Sequence, residues 1–140
     1  EKLVQSFLRE SIKKGFVESS HDVSDGGLVI NLAESCISSG LGADINLPLS
    51  DVRLDRLMFA EGGARVVITI NPHNLKNWIT FLDEYNKKTT DFVPTTFIGT
   101  VQNDQNLSIS QNGTKLVELS VEKLVHTYED ALPRRFRNDV

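Results

Sequence analysis

Cysteine is almost absent from this 140-residue chain, which contains Cys36 alone. A single cysteine excludes both an intrachain disulfide and a Cys-x-x-Cys metal site. Because Cys36 lies on an apolar helical stripe, we expect an inert, buried thiol. The three histidines, His21, His73 and His126, are far apart in the sequence, so no metal site is predicted. We expect His73 and His126 on the surfaces of helices.

Long apolar runs and an excess of positive charge are also lacking. No apolar run approaches the ~20 residues that span a bilayer, so no membrane partner is expected. The formal net charge of −4 argues against a general nucleic-acid surface, which requires clustered Lys and Arg. The one basic cluster, at residues 134–137, is interpreted as part of a solvated tail. We therefore expect a cytoplasmic protein without a nucleic-acid partner.

An initiator methionine and a signal segment are missing as well. The only methionine is Met58, and Glu1 is followed at once by helical periodicity. A basic region followed by an apolar run, which marks a secretory signal, does not occur. This beginning predicts a domain cut from a longer polypeptide. We expect a single domain over residues 1–133 and a C-terminal tail over residues 134–140.

Apolar residues recur at both helical and strand spacings, in mixed order, which predicts an α+β fold with a mostly antiparallel sheet covered by helices. The run Val66–Ile70 is almost wholly apolar and β-branched, so it is predicted to be a central strand covered on both faces. A last helix is expected between Ser120, its cap, and Pro133, with Tyr128 on its buried side. The other predicted helices are 2–14, 28–37, 51–60 and 75–85; the predicted strands are 15–20, 42–48, 66–70, 95–101, 107–109 and 116–119, with a turn at Asn112-Gly113.

A polar segment with two glycines, residues 21–28, joins the first predicted strand to the second helix; we call it the first junction. Ser24 or Asp25 is a candidate N-cap, and Gly26-Gly27 lets the backbone approach a neighbour closely. Together with the free N–H groups of a helix start, such a junction can hold an anion. The alternative is that these residues serve only capping and turn geometry.

A second segment with two glycines, residues 59–65, leads into the predicted central strand; we call it the second junction. Glu61 and Arg65 bracket Gly62-Gly63, so a carboxylate, backbone N–H groups and a guanidinium can converge on one polar ligand. Phosphate suits this set of donors. The alternative is a Glu61–Arg65 ion pair that closes a tight turn, which at a surface contributes under ~1 kcal/mol. The candidate substrate-binding or phosphate-binding residues are Asp22, Ser24, Asp25, Gly26, Gly27, Glu61, Gly62, Gly63 and Arg65.

Taken in order, several segments resemble the C-terminal domain of phosphoribosylformylglycinamidine synthase. The resemblance covers almost the whole chain and implies a fold like the C-terminal domain of aminoimidazole ribonucleotide synthetase. Related versions of the Asp-x-Ser-Asp-Gly-Gly-Leu core occur in selenophosphate synthetase and other ATP-dependent relatives. The segments that carry the resemblance are residues 21–28, 32–34, 39–43, 59–61 with Arg65, and 131–133.

The resemblance implies a function for the parent protein. The family uses ATP and glutamine-derived ammonia to convert formylglycinamide ribonucleotide to formylglycinamidine ribonucleotide in de novo purine synthesis. It implies ATP and Mg²⁺ as cofactors, and as partners the N-terminal domains of the same enzyme, a glutaminase component and the ribonucleotide substrate. The residues that bind ATP and Mg²⁺ belong largely to the N-terminal type of domain. We therefore assign no catalytic residue and no metal ligand to this chain, and expect the isolated domain to be inactive.

The second junction departs from the family's pattern. In the first half of these enzymes the matching segment usually reads Phe-x-Glu-Ser-Gln-x-Arg and contacts the substrate phosphate. Gly62-Gly63 replaces Ser-Gln in this chain. The departure makes an auxiliary nucleotide-phosphate role or a structural role as suitable as direct substrate binding. Two alternatives remain open: a structural or assembly domain without a ligand site, and the same fold from a related enzyme such as selenophosphate synthetase.

Overall fold

The computed structural model describes residues 1–137 and the side chains of residues 1–131. Helices and strands occur in mixed order, as the periodicities predict. The helices are α1 (Lys2–Lys13), α2 (Gly27–Ser39), α3 (Leu54–Phe59), α4 (Pro72–Lys88) and α5 (Val121–Arg137); the strands are β1 (Val17–Asp22), β2 (Gly42–Leu47), β3 (Val66–Ile70), β4 (Gly99–Gln102), β5 (Asn106–Gln111) and β6 (Thr114–Ser120). Among the described residues, no helix is long and apolar enough to cross a membrane.

The chain divides into two compact units. The first comprises residues 1–31 and 60–96, and the second comprises residues 32–59 and the chain from residue 97 onward. The expected boundary between a domain ending at residue 133 and a tail remains a prediction. The side chains of Leu132 and of the expected tail lie outside the described residues.

The first unit is built on the antiparallel pair β1–β3, in which Ser20 lies opposite Ile68 and Asp22 opposite Val66. Its buried core consists of Phe7 of α1, Trp78 and Leu82 of α4, and Val93 from the segment after α4, and Ile68 and Ile70 of β3 pack against it. Asn71 caps α4, since its side chain accepts a hydrogen bond from the His73 N–H at 3.0 Å, and Pro72 occupies the first turn.

The prediction that Val66–Ile70 is a central strand covered on both faces is wrong. In the part of the chain that the structure describes, β3 pairs with β1 alone, and all five of its residues are half-buried. An apolar, β-branched strand needs cover from side chains, which Ile68 and Ile70 obtain by packing on the helical core. Composition therefore reports burial of a strand and not the number of its partner strands.

The second unit contains a four-stranded sheet in the order β4-β2-β5-β6. Strands β2 and β5 are parallel, and the other two pairs are antiparallel, which confirms an α+β fold with mostly antiparallel pairing. The buried face alternates along the strands through Ala43, Ile45, Leu47, Leu107 and Ile109. The predicted turn joins β5 to β6, with positive φ at both Asn112 and Gly113.

Helix α5 begins as predicted and ends later than predicted. Ser120 Oγ accepts a hydrogen bond from the Lys123 N–H at 3.2 Å, which is an N-cap contact. The prediction that Pro133 ends the helix is wrong, because the helical backbone continues to Arg137. Proline removes one N–H donor and makes the helix less stable, but it does not prevent the residues beyond it from being helical. Tyr128, which was expected on the buried side, is 65% exposed.

Cys36 is buried, as expected, and burial raises the pKa of its thiol above the ordinary value. The prediction of a buried thiol is confirmed, and the raised pKa favours the less reactive thiol form over the thiolate. His73 and His126 are exposed on α4 and α5, which confirms that prediction as well.

Candidate functional site

The two junctions meet in the first unit, although the sequence separates them by more than thirty residues. Antiparallel pairing places the end of β1 beside the start of β3, where Asp22 lies opposite Val66. One step beyond that pair, the Val23 N–H donates a hydrogen bond to the Arg65 carbonyl at 2.9 Å. The strand register therefore brings all the candidate residues to one end of the β1–β3 pair.

A hydrogen bond joins the junctions directly. The Gly26 N–H donates to Glu61 Oε1 at 3.0 Å, across 35 residues of sequence. Gly26 immediately precedes α2, so the Glu61 carboxylate lies at the positive end of the helix dipole, where an anion is stabilised. Glu61 thus supplies from the second junction the acceptor that the start of α2 requires.

The second junction is closed by bonds within its own loop. The Arg65 guanidinium donates to the Ala60 carbonyl, and the Arg65 N–H donates to the Gly63 carbonyl at 2.9 Å. The contacts of Glu61 and Arg65 therefore join the two junctions and fold the loop. The alternative interpretation, a Glu61–Arg65 ion pair that closes the turn, stays a prediction.

The N-cap prediction at Ser24 or Asp25 is wrong. Helix α2 begins at Gly27, so the preceding position is Gly26 and not either of these residues. Ser24 takes part through its backbone carbonyl, which accepts a hydrogen bond from the Gly27 N–H at 3.1 Å. Asp22, Ser24 and Asp25 are exposed.

Positive φ angles occur at the glycines of both junctions, with φ of 77° at Gly26, 73° at Gly27, 89° at Gly62 and 76° at Gly63. A Cβ atom on Gly26 would lie 2.5 Å from Ile30 Cγ1, whereas a Cβ atom on Gly62 or Gly63 would meet nothing within 4 Å. Glycine at position 26 therefore satisfies both a backbone and a packing requirement, and Gly62-Gly63 satisfies a backbone requirement alone.

We expect Gly26→Ala to lower the free energy of unfolding by about 2 kcal/mol, since a left-handed backbone angle and a steric overlap act together. Gly62→Ala, the matched control, imposes the backbone angle in open space and should cost about 1 kcal/mol. Urea denaturation of both variants measures the difference. Equal losses would show that the Ile30 contact is relieved at no cost.

Asn31 is a site residue that sequence reasoning missed. Its side chain is 2% exposed, and its Nδ2 donates to the Asp22 carbonyl at 2.7 Å, which ties α2 to the end of β1. An amide side chain between Ile30 and Leu32, inside an apolar helical stripe, was the available signal. Buried amides require hydrogen-bond partners, and here one partner is the backbone of the first junction.

Clusters of three or more His, Cys, Asp or Glu side chains suited to holding a metal ion do not occur among the residues that the structure describes. Among the polar contacts at this end of β1–β3 are the bond from the Gly26 N–H to Glu61 and the bond from the Arg65 guanidinium to the Ala60 carbonyl. The Gly26 N–H is already bonded to Glu61, so the Arg65 guanidinium is the group of this set with the charge to attract an oxyanion.

Comparisons with known proteins agree with this architecture. Residues 1–112 match the family described as AIR synthase related protein, C-terminal domain. The phosphoribosylformylglycinamidine synthase subunit PurL of one strain of Prochlorococcus marinus is 47% identical over 140 residues, which is 100% of this chain and 18% of that subunit. The chain therefore spans about a fifth of the length of its curated relatives.

Solved structures of Thermotoga maritima PurL share the fold. The chain matches PurL complexed with ATP at a TM-score of 0.72 and 16% identity, covering 89% of this chain and 21% of that one. It matches PurL complexed with FGAR at a TM-score of 0.72 and 18% identity, covering 89% of this chain and 20% of that one. Since the family match covers most of the chain and the fold agrees, this chain belongs to the AIR synthase related protein family, whose C-terminal domain it represents.

Proposed function

We propose that this chain is the C-terminal domain of a phosphoribosylformylglycinamidine synthase. The observation that carries the proposal is the 47% identity to the Prochlorococcus marinus PurL subunit over all 140 residues. The parent protein would use ATP and glutamine-derived ammonia to convert formylglycinamide ribonucleotide to formylglycinamidine ribonucleotide. A related synthetase such as selenophosphate synthetase is less well supported, because the relatives named above are synthase subunits.

We assign the cofactors and partners to the longer protein. ATP and Mg²⁺ would bind largely to its N-terminal type of domain. When bound, Mg²⁺ would neutralise phosphate charge during phosphoryl transfer from ATP to the substrate amide. The partners would be the N-terminal domains of the same protein, a glutaminase component and the ribonucleotide substrate, and the location would be the cytoplasm.

For the two junctions we propose the binding of a phosphate group, from the substrate or from an auxiliary nucleotide. The proposal is supported by the convergence of Arg65 and the glycine-rich backbone of both junctions at one exposed end of β1–β3. Arg65 would supply the charge-assisted hydrogen bond. The Asp22, Ser24 and Asp25 side chains would border the ligand, and Gly27, Gly62 and Gly63 would allow its close approach. No catalytic role is assigned to these residues.

A structural role for the junctions is the second candidate, and one observation favours it. The hydrogen bonds from Gly26 to Glu61 and from Val23 to Arg65 use groups of one junction to satisfy groups of the other. A junction satisfied in this way can serve to fix the loops at the end of the β1–β3 pair without any ligand.

A chimera tests the proposed function. The matching 140 residues of the Prochlorococcus marinus subunit are replaced by this chain, and ATP-dependent and ammonia-dependent product formation is measured. We expect the rate to remain within about tenfold of that of the unaltered subunit, a difference of about 1.4 kcal/mol in activation free energy. The isolated chain should form no product. A folded but inactive chimera, or product formation by the chain alone, would contradict the proposal.

Arg65→Ala in the same chimera separates the two roles of the junctions. If the phosphate is the substrate's, loss of the charge-assisted hydrogen bond should raise the KM for the ribonucleotide about tenfold or more; if it is an auxiliary nucleotide's, the loss should weaken ADP binding to the chimera by a similar factor. A structural role predicts a lower melting temperature with both the KM and the ADP affinity unchanged. Arg53→Ala is the matched control, because Arg53 is an exposed arginine that pairs with Asp55 in the other unit.

A further inference from the structure

We propose that Glu61 is a positioning residue that holds Arg65 in place and does not contact the ligand itself. The inference rests on the proposed phosphate role of Arg65 and assigns Glu61 a different role from the other candidate residues. Its basis is a chain of contacts that runs from the start of α2 through Glu61 and Ala60 to the Arg65 guanidinium.

The first link is the bond from the Gly26 N–H to Glu61 Oε1, at 3.0 Å. It attaches the second junction to the end of a helix of 13 residues. Gly26 lies inside a turn that is closed by a hydrogen bond from the Gly27 N–H to the Ser24 carbonyl at 3.1 Å. The Glu61 carboxylate is therefore bonded to a backbone group in the turn that immediately precedes α2.

The second link is covalent. Ala60 precedes Glu61 directly, and the Ala60 carbonyl accepts a hydrogen bond from the Arg65 guanidinium. The Ala60 carbonyl belongs to the same planar peptide unit as the Glu61 backbone nitrogen, so a displacement of the Glu61 backbone also moves this acceptor of the Arg65 guanidinium. The backbone of Arg65 is fixed separately, by the bond from the Val23 N–H to its carbonyl at 2.9 Å. Glu61 thus controls the direction of the guanidinium and not the placement of the Arg65 backbone.

The two glycines between Glu61 and Arg65 explain why the bond from the Gly26 N–H to Glu61 is needed to hold the loop. Residues 60–64 are exposed, and Gly62 and Gly63 have open space where a side chain would lie. A loop with two glycines has high conformational freedom, so the chain from Arg65 back to Ala60 cannot fix the Ala60 carbonyl alone. The bond from Glu61 to α2 supplies the missing constraint.

The charge of Glu61 argues against direct contact with phosphate. Two like charges about 4 Å apart repel by roughly 1 kcal/mol even in water, and by more near a protein surface. A phosphate oxygen on the Gly26 N–H would also have to displace the carboxylate that already occupies it. Both considerations leave phosphate contact to Arg65 and positioning to Glu61.

Nuclear magnetic resonance of the ¹⁵N-labelled chain tests the coupling without any activity. In Glu61→Ala we expect the Gly26 amide to exchange with solvent about tenfold faster, as one lost hydrogen bond implies. The Arg65 Nε–H signal should also show increased mobility. Glu61→Gln keeps the acceptor oxygen, so in this variant the Gly26 exchange rate and the Arg65 mobility should stay close to those of the unaltered chain. Glu84→Gln, the matched control, removes the same charge from an exposed position on α4.

A double-mutant cycle in the active chimera provides the second readout. Glu61→Ala should raise the KM for the ribonucleotide about fivefold with kcat within twofold, and should add nothing once Arg65 is alanine. An additive double variant, or an Arg65 signal unaffected by Glu61→Ala, overturns the proposal. An inactive chimera combined with the expected resonance changes would refute the proposed function and leave the positioning contact standing.

Discussion

Replacement of Phe7 by alanine is expected to lower the free energy of unfolding of the first unit by about 4 kcal/mol. Phe7 is 4% exposed and lies at the centre of an aromatic cluster. Its ring centroid is 5.9 Å from that of Trp78, 5.3 Å from that of Phe81 and 5.1 Å from that of Tyr85. Truncation removes buried area and three ring contacts together. The surrounding rings are rigid and cannot collapse into the cavity that remains.

The effect of Phe7→Ala is measured by urea denaturation, with hydrogen exchange assigning the loss to the first unit. Phe92→Ala is the matched control, because Phe92 belongs to the same unit and is 68% exposed. It should change stability by less than about 0.5 kcal/mol. Similar losses in the two variants would show that the aromatic cluster does not carry the stability of this unit.

In the second unit, Ile109→Ala is expected to lower the free energy of unfolding by about 3 kcal/mol. Ile109 is 0% exposed on β5, between Ile45 of the parallel strand β2 and Val117 of the antiparallel strand β6. A residue flanked on both sides in a sheet leaves a cavity that neighbouring backbone cannot close without breaking strand pairing.

The matched control for Ile109 lies on the edge strand of the same sheet. Val101 of β4 is 51% exposed, so Val101→Ala should change stability by less than about 0.5 kcal/mol. Amide exchange in β5 and β6 should accelerate in Ile109→Ala and remain unchanged in Val101→Ala. A loss at Ile109 below about 1 kcal/mol would show that the sheet repacks around the missing atoms.

Signals that act within a few residues were sufficient for most of the elements. The Asn71-Pro72 pair marks the boundary between β3 and α4, because the amide caps the helix and proline suits its first turn. Asn112-Gly113 marks the turn between β5 and β6, where both residues have positive φ. The predicted strand over residues 95–101 was less accurate, since β4 covers Gly99–Gln102. Period and turn chemistry predict an element better than they predict its ends.

The candidate residues could be named from the sequence, but their arrangement could not. Each junction was predicted separately from glycines beside polar side chains. That they meet depends on the register of β1 against β3, which is set by packing over the whole first unit. The sequence offered Ser24 or Asp25 as the cap, whereas the acceptor observed at the start of α2 is Glu61, 35 residues from Gly26.

The sequence by itself determined the class of the fold, the order and approximate positions of its helices and strands, and the family to which the chain belongs. These properties follow from side-chain periodicity, turn chemistry and motif order, which depend on residues that are close together in the sequence. Only the tertiary structure decided that β3 has one partner strand among the described residues, that Asn31 holds the end of β1 and that Glu61 is bonded to the start of α2. Such contacts join residues distant in sequence, and a hydrogen bond forms only where the complete packing brings its two groups within about 3 Å.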